Sequence, residues 1–397
     1  MTTLLRLFYL SLFIVILTSS CNRKKPVADQ LEETNVKHIV SVDFENTSEI
    51  KYEDYIDFVK YVKLETTDES LIGGVDNLLF DDEKIFVVDK YVTKSIFVFD
   101  MKGRFMHKIH AVGDGPDKYF SIRDVSLDVS NKRICLVDLD GRRIKFYTYE
   151  GDFIESVRMP FLFSSMIHLT DGQFVFNSGL SANQDKEDID GYSLVVADME
   201  GKVSYKAFED RNHNFSFTIQ DPLRISGSDI FFNPRYRNVI YSISQEGALP
   251  FYKLDMGIHG FPQERLPSIN TQEYLEMDAN KSFVNGYISL KDGAMFIIFG
   301  DKQVFNVLYS KESGNSISLL KPVFSHFSHP LFSSNGSPSY FHYYDQSIVT
   351  VSWPDVVLML GEIFPKSDRD ESGLNQLLEG IDKSSNPVLT WFDLKEF

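Results

Sequence analysis

Two arginines one residue apart, in Asn233-Pro234-Arg235-Tyr236-Arg237-Asn238, offer the plainest recognition chemistry in this sequence. A guanidinium presents a planar fork of donors that grips a carboxylate or phosphate at two points. Arg142 and Arg143 form a second basic pair just after Asp138, and Asp89 holds the place of Asp138 in an earlier, similar stretch. Asp114 and Lys118 share the loop Gly113-Asp114-Gly115-Pro116-Asp117-Lys118-Tyr119. The candidate ligand-binding set is therefore Asp89, Asp114, Lys118, Asp138, Arg142, Arg143, Arg235 and Arg237. Each has a plainer explanation. An Asp that closes a strand is a common turn-former, and the arginines can pair with neighbouring acids in a chain of formal charge −17.

Catalytic and metal patterns fail one by one. Gly179-Leu180-Ser181-Ala182-Asn183 lacks the second Gly of a nucleophile elbow. Ser318-Leu319-Leu320-Lys321 fits Ser-x-x-Lys without the partner motifs that give it meaning. His326 and His329 lack a zinc-helix context. Counting back from Gly191 in Asp185-Lys186-Glu187-Asp188-Ile189-Asp190-Gly191 puts Lys186 where a calcium loop needs its first ligand. No catalytic residue, metal ligand or cofactor is assigned. The aromatic stretches Phe324–His329 and Tyr340–Tyr344 suit blade packing better than sugar stacking. Cys21 and Cys135 are the only cysteines, which excludes a disulfide framework, and Cys135 reads as a small buried side chain. A pI near 5.0 argues against nucleic acid and polybasic membrane contacts.

The first residues read as an address. Arg6 precedes an apolar run, Leu7 to Leu17, and then Thr18-Ser19-Ser20-Cys21. The run is too short to span a bilayer and fits a signal-peptide core. Small residues leading into Cys resemble a bacterial lipobox, so Cys21 is the expected lipidation site and the membrane the expected partner. The expected organisation is a signal peptide over 1–20, a lipidated Cys with a flexible tether over 21–50, and one folded domain over 51–397. Asn22-Arg23-Lys24-Lys25-Pro26 lacks an acidic export run, which favours the periplasmic side of the outer membrane over the cell surface.

The elements that must position any site come from a repeat. Ile85-Phe86-Val87-Val88-Asp89, Ile96 to Asp100, Gly103 and Phe105 recur as Ile134-Cys135-Leu136-Val137-Asp138, Ile144 to Tyr147, Gly151 and Phe153. Weaker copies place turn glycines at Gly201, Gly247 and Gly314. A period of roughly fifty residues built from short strands predicts propeller blades. Each blade is then a meander of strands a to d, and the count comes to six. The last blade lacks a strand, which Phe58 to Leu64 supplies from the N-terminus, so that the ring closes without open edges. Thr271–Met277 and Gly373–Glu379 read as short helical insertions.

Val62-Lys63-Leu64-Glu65-Thr66-Thr67-Asp68 before Leu71-Ile72-Gly73, the Gly113–Tyr119 loop, the recurring Asp-x-x-Gly hairpins and Asn386-Pro387-Val388-Leu389 together resemble the six-bladed β-propeller lipoproteins of Bacteroidetes, with NHL-like repeats. The resemblance implies an all-β fold and an envelope location. It carries over no catalytic residue. In such a meander the b–c and d–a loops share one face, where the eight candidates gather; loops on a rigid scaffold commonly bind. The expected function is therefore an envelope lipoprotein that binds a ligand or an envelope protein without catalysis. The alternative is a lyase or hydrolase with acids, His or Arg from several blades meeting at the channel mouth.

Overall fold

The computed structural model describes residues 35–45, 54–138, 143–170, 172–178, 183–186, 188–209, 221–268, 272–273, 276, 281–300, 303–320, 341–364 and 373–397. Cys21, Arg142, His326 and His329 lie outside them, as does most of the signal and tether.

Two strands precede the first blade: β1 (His38–Ser41) and β2 (Ile56–Lys63). Blade one comprises β3 (Asn77–Asp81), β4 (Lys84–Asp89), β5 (Ser95–Asp100) and β6 (Phe105–Ile109). Blade two comprises β7 (Asp124–Asp128), β8 (Arg133–Asp138), β9 (Arg143–Thr148) and β10 (Phe153–Arg158). Blade three has β11 (Ser165–Thr170), β12 (Gln173–Asn177), β13 (Tyr192–Asp198) and β14 (Val203–Glu209). Blade four has β15 (Leu223–Ser226), β16 (Asp229–Phe232), β17 (Val239–Ser244) and β18 (Gly247–Asp255). Blade five has β19 (Phe283–Ser289), β20 (Gly293–Gly300), β21 (Gln303–Ser310) and β22 (Ser316–Leu320). Blade six has β23 (Phe341–Tyr344), β24 (Ser347–Ser352) and β25 (Val388–Leu394), completed by β2 in the order β2-β25-β24-β23. The fold is a six-bladed β-propeller.

Strands b and c read as continuous apolar runs because each blade is covered on both faces. In β4 and β8 every residue after the first is buried. The cores accordingly lie between blades rather than inside one centre. Phe86 and Val88 of blade one meet Val125 and Leu136 of blade two. Val137 and Phe146 meet Phe174 and Val195, Val175 and Leu194 meet Phe232 and Tyr241, and Phe231 and Tyr252 meet Phe296 and Val307. Met295 and Leu308 meet Ile348 and Phe392, and Val349 and Trp391 meet Val87 and Phe97, which closes the circle.

The five marker glycines 103, 151, 201, 247 and 314 all have positive φ, the left-handed backbone that their tight turns need. At Gly103 a Cβ would also lie 2.1 Å from the Lys63 carbonyl oxygen, so only glycine lets blade one approach the ring-closing strand. Ring closure is antiparallel, from Ile56 opposite Leu394 to Lys63 opposite Val388.

Two features depart from the sequence reading. The expected tether contributes β1, which pairs in parallel with β18, His38 opposite Tyr252 through Ser41 opposite Asp255. Alternation explains it: Val40 is fully buried, and Val42 and Phe44 pack on the same cluster, while Ile39 is 62% exposed. Among the described residues, the insertion in blade six holds two helices, where the sequence reading placed one. Alongside the expected α2 (Leu374–Leu378), α1 (Pro354–Ile363) starts on a proline at its first turn and buries Val357 and Leu360, where proline needs no N–H. In the expected Thr271–Met277 insertion, Gln272, Glu273 and Glu276 are helical.

Candidate site in the axial channel

The innermost strands of all six blades stand around the axis and enclose a cavity of about 730 Å³. Its wall runs from Asp124, Asp221 and Ser165, where inner strands begin, to the a–b turn residues Ser228, Lys291 and Asp345. The cavity thus reaches the face opposite the one on which the sequence candidates gather, and none of the seven described candidates lines it.

Several candidates are occupied by architecture. The Asp89 carboxylate accepts the N–H groups of Gly73 (3.1 Å), Gly74 (2.9 Å) and Val92 (2.9 Å), and the Thr93 hydroxyl at 2.8 Å. Asp138 repeats the device, accepting from the Phe120 and Ser121 N–H groups, both at 3.2 Å. Each latches the loop that enters the inner strand of its own blade. Asp114 is exposed, Lys118 pairs loosely with Asp117 at 3.8 Å, and Arg143 opens β9 half-buried. The Arg235 guanidinium lies over the Tyr236 ring at 5.7 Å. The Arg237 N–H donates to the Pro234 carbonyl at 3.3 Å. Cys135 is fully buried, and desolvation pushes its thiol up to about 12.

The channel brings together residues that the sequence keeps far apart. Lys90, directly after the Asp89 latch, places its ammonium 3.7 Å from Asp124, with both side chains nearly buried. Its own N–H donates to Asp76 at 2.7 Å. Burial would depress the Lys90 pKa, but Asp124, Asp221 and Asp76 outweigh it and the net shift is upward. Asp124 is raised to about 6: burial dominates, Lys90 opposes it, and the charge of Asp221 adds to it. From blade four, Arg224 donates through Nε to the Asp221 carbonyl at 3.3 Å and through Nη2 to its carboxylate at 3.5 Å. From blade six, His342 is buried beside the axis, held down to about 3 by desolvation and then by Arg224. At the turn end, Lys311 donates to Ser289 Oγ and to the carbonyls of Leu290 and Lys291, tying down the a–b turn of blade five.

The cavity wall thus carries Arg224, Asp124, Asp221 and a neutral imidazole, with Lys90 paired to Asp124 beside it, which suits a small polar molecule. Among the described residues, no group of three His, Cys, Asp or Glu side chains is placed to hold a metal ion. Sequence reasoning missed Lys90, Asp124, Arg224 and His342. For Asp124, Arg224 and His342 the usable signal was a charged or imidazole residue at or beside the start of an inner strand; Lys90 instead follows the end of β4. Of the aromatics in the Tyr340–Tyr344 stretch, Tyr344 packs on Phe80 across the blade junction at 5.2 Å.

The chain matches a family described as a domain of unknown function, DUF4934, over residues 35–393. No curated protein matches it. Its fold is similar to that of a Bacteroides fragilis NCTC 9343 protein described as exported, with TM-score 0.75 and 18% identity over 90% of this chain and 100% of the other. A DUF4221-family protein of Bacteroides vulgatus is similar at TM-score 0.54 and 8% identity, over 86% of this chain and 99% of that one. At these identities the likeness is one of fold.

Proposed function

Because the chain belongs to the DUF4934 family, whose description assigns no activity, we propose a function from the channel itself: an exported, lipid-anchored propeller that holds a small polar ligand on its axis. One observation carries this reading. A cavity of about 730 Å³, walled by all six blades, carries Asp124 and Arg224 in its wall with both side chains nearly out of water. Burying charges is costly unless something repays it, and the blade junctions alone already supply continuous apolar cores. The export of a similar Bacteroides fragilis protein and the apolar run ending at Cys21 support an envelope location, with NHL-like repeats as the scaffold and the periplasmic side favoured. Labelled palmitate that still enters a Cys21→Ala protein would refute the anchor.

The channel reading is tested by a thermal-shift screen of small polar compounds, since a ligand that binds only the folded state raises the melting temperature. The expected hit loses its effect in Ser165→Phe, which fills the cavity, and keeps it in Arg235→Ala, outside the cavity. A hit indifferent to Ser165→Phe, or no hit at all, refutes the reading.

One observation favours an enzymatic second reading. Asp124 titrates near 6 with Asp221 in the same cavity, and a poised acid beside a second carboxylate suits general acid–base chemistry of a lyase or hydrolase. Turnover of a channel ligand, abolished in Asp124→Asn with binding retained, would establish it; binding without turnover would exclude it.

A further inference from the structure

His342 on β23 and Arg224 on β15 come from different blades, and both line the axial cavity. The backbone N–H of Leu78 approaches His342 Nδ1 at 3.3 Å. A backbone N–H can only donate, so Nδ1 is the acceptor and the neutral ring carries its proton on Nε2. Burial keeps the ring neutral at physiological pH, which makes Nε2–H an obligatory donor. The residue is only 6% exposed, and Nε2 is buried with no hydrogen-bond partner. A buried donor without an acceptor is costly. An acceptor is therefore missing at this point of the wall.

Arg224 is short of acceptors too. Its side chain is 12% exposed, and its two hydrogen bonds, both to Asp221, are long at 3.3 and 3.5 Å. A guanidinium has five N–H donors, so most of the fork is unspent. Its charge is felt at His342, which sets the two donor groups on one region of the cavity. Lys90 does not compete for the same acceptor, because its ammonium is already paired with Asp124 at 3.7 Å.

We propose that the cavity takes a small molecule bearing a carboxylate, which sits between the Arg224 guanidinium and the His342 Nε2–H. This rests on the reading of the channel as a ligand site and names the class of ligand. A planar monoanion matches the guanidinium fork. A phosphate, carrying more charge, would meet the repulsion of Asp124 and Asp221, while Lys90 is paired with Asp124 and Lys311 is tied to the turn of blade five.

The test uses the whole soluble domain and matched pairs of probes: glucuronate against glucose, succinate against succinamide, and N-acetylglycine against N-acetylglycinamide, by calorimetry at pH 7. At least one acid binds at least tenfold more tightly than its neutral partner. Arg224→Gln weakens that acid at least tenfold, Arg224→Lys recovers part of the loss, and His342→Phe weakens it several-fold. The acid–neutral comparison is made on the unaltered protein, so it stands even if a variant fails to fold. Equal binding of acid and neutral partner, or binding by neutral compounds alone, overturns the carboxylate assignment while leaving the channel as a ligand site. Binding by none of the six probes overturns the assignment as well, and the broader screen above then decides the channel.

Discussion

Asp124 and His342 face the same cavity and respond to acid in opposite directions. Asp124, raised to about 6, keeps its proton longer in the fold than in the unfolded chain. Its contribution to stability therefore falls as the pH climbs from about 4 to about 6. His342, lowered to about 3, stays neutral in the fold while the unfolded ring protonates below about 6.5, so its contribution rises over the same window. The two slopes offset each other in the native protein. In Asp124→Asn the melting temperature should rise with pH between 4 and 6, and in His342→Asn it should fall. Each slope is bounded by about 1.4 kcal/mol per pH unit; melting curves that stay flat in both variants would dismiss the idea. The latches make a different demand. Asp89→Ala strands four donors that its carboxylate now satisfies, and a loss of about 2–4 kcal/mol in urea unfolding is expected. A loss under about 0.5 kcal/mol would mean that water substitutes freely. The strand-closing aspartates were visible in the sequence, and so was their turn-forming alternative, because latch and loop lie within twenty residues. The channel charges were not. Lys90, Asp124, Arg224 and His342 become neighbours only when the ring closes, and no local spacing records that.

Among the elements, regularity decided what could be read. Strands b and c repeat as apolar runs, and each c–d turn carries a glycine at positive φ, so period and punctuation agree. Four residues of β1 set no period and sit in a polar segment. Its only sign is the alternation of Val40, Val42 and Phe44, which gains meaning from the groove between blades four and five that receives it. Similarly, α1 hides in an insertion between the b and c strands of blade six. If β1 is an integral fifth strand, Val40→Asp should destabilise by about 2–4 kcal/mol. It should also raise hydrogen exchange in β18 while leaving blade two unchanged. Uniform exchange across both blades would show that β1 is dispensable to blade four.

For the molecule as a whole, closure is the step that makes six blades one body. β2 reaches β25 from the far end of the described chain, and the last blade junction, between Val349 and Phe97, exists only when it does. Removing residues 1–63 should expose the β25 edge, which then invites pairing between chains. The expected result is concentration-dependent aggregation by light scattering, and a monodisperse truncated domain would contradict it. The parallel run of β1 along β18 has a mechanical meaning as well. Tension entering through the N-terminal segment reaches β1 before β2. It pulls along the axis of β1 in shear, against all its rungs at once and against the Val42-to-Asp255 and Ser316-to-Ser41 bonds beyond them. The strand that takes the load is thus a supernumerary one on blade four, and the seam that holds the ring together is shielded from it.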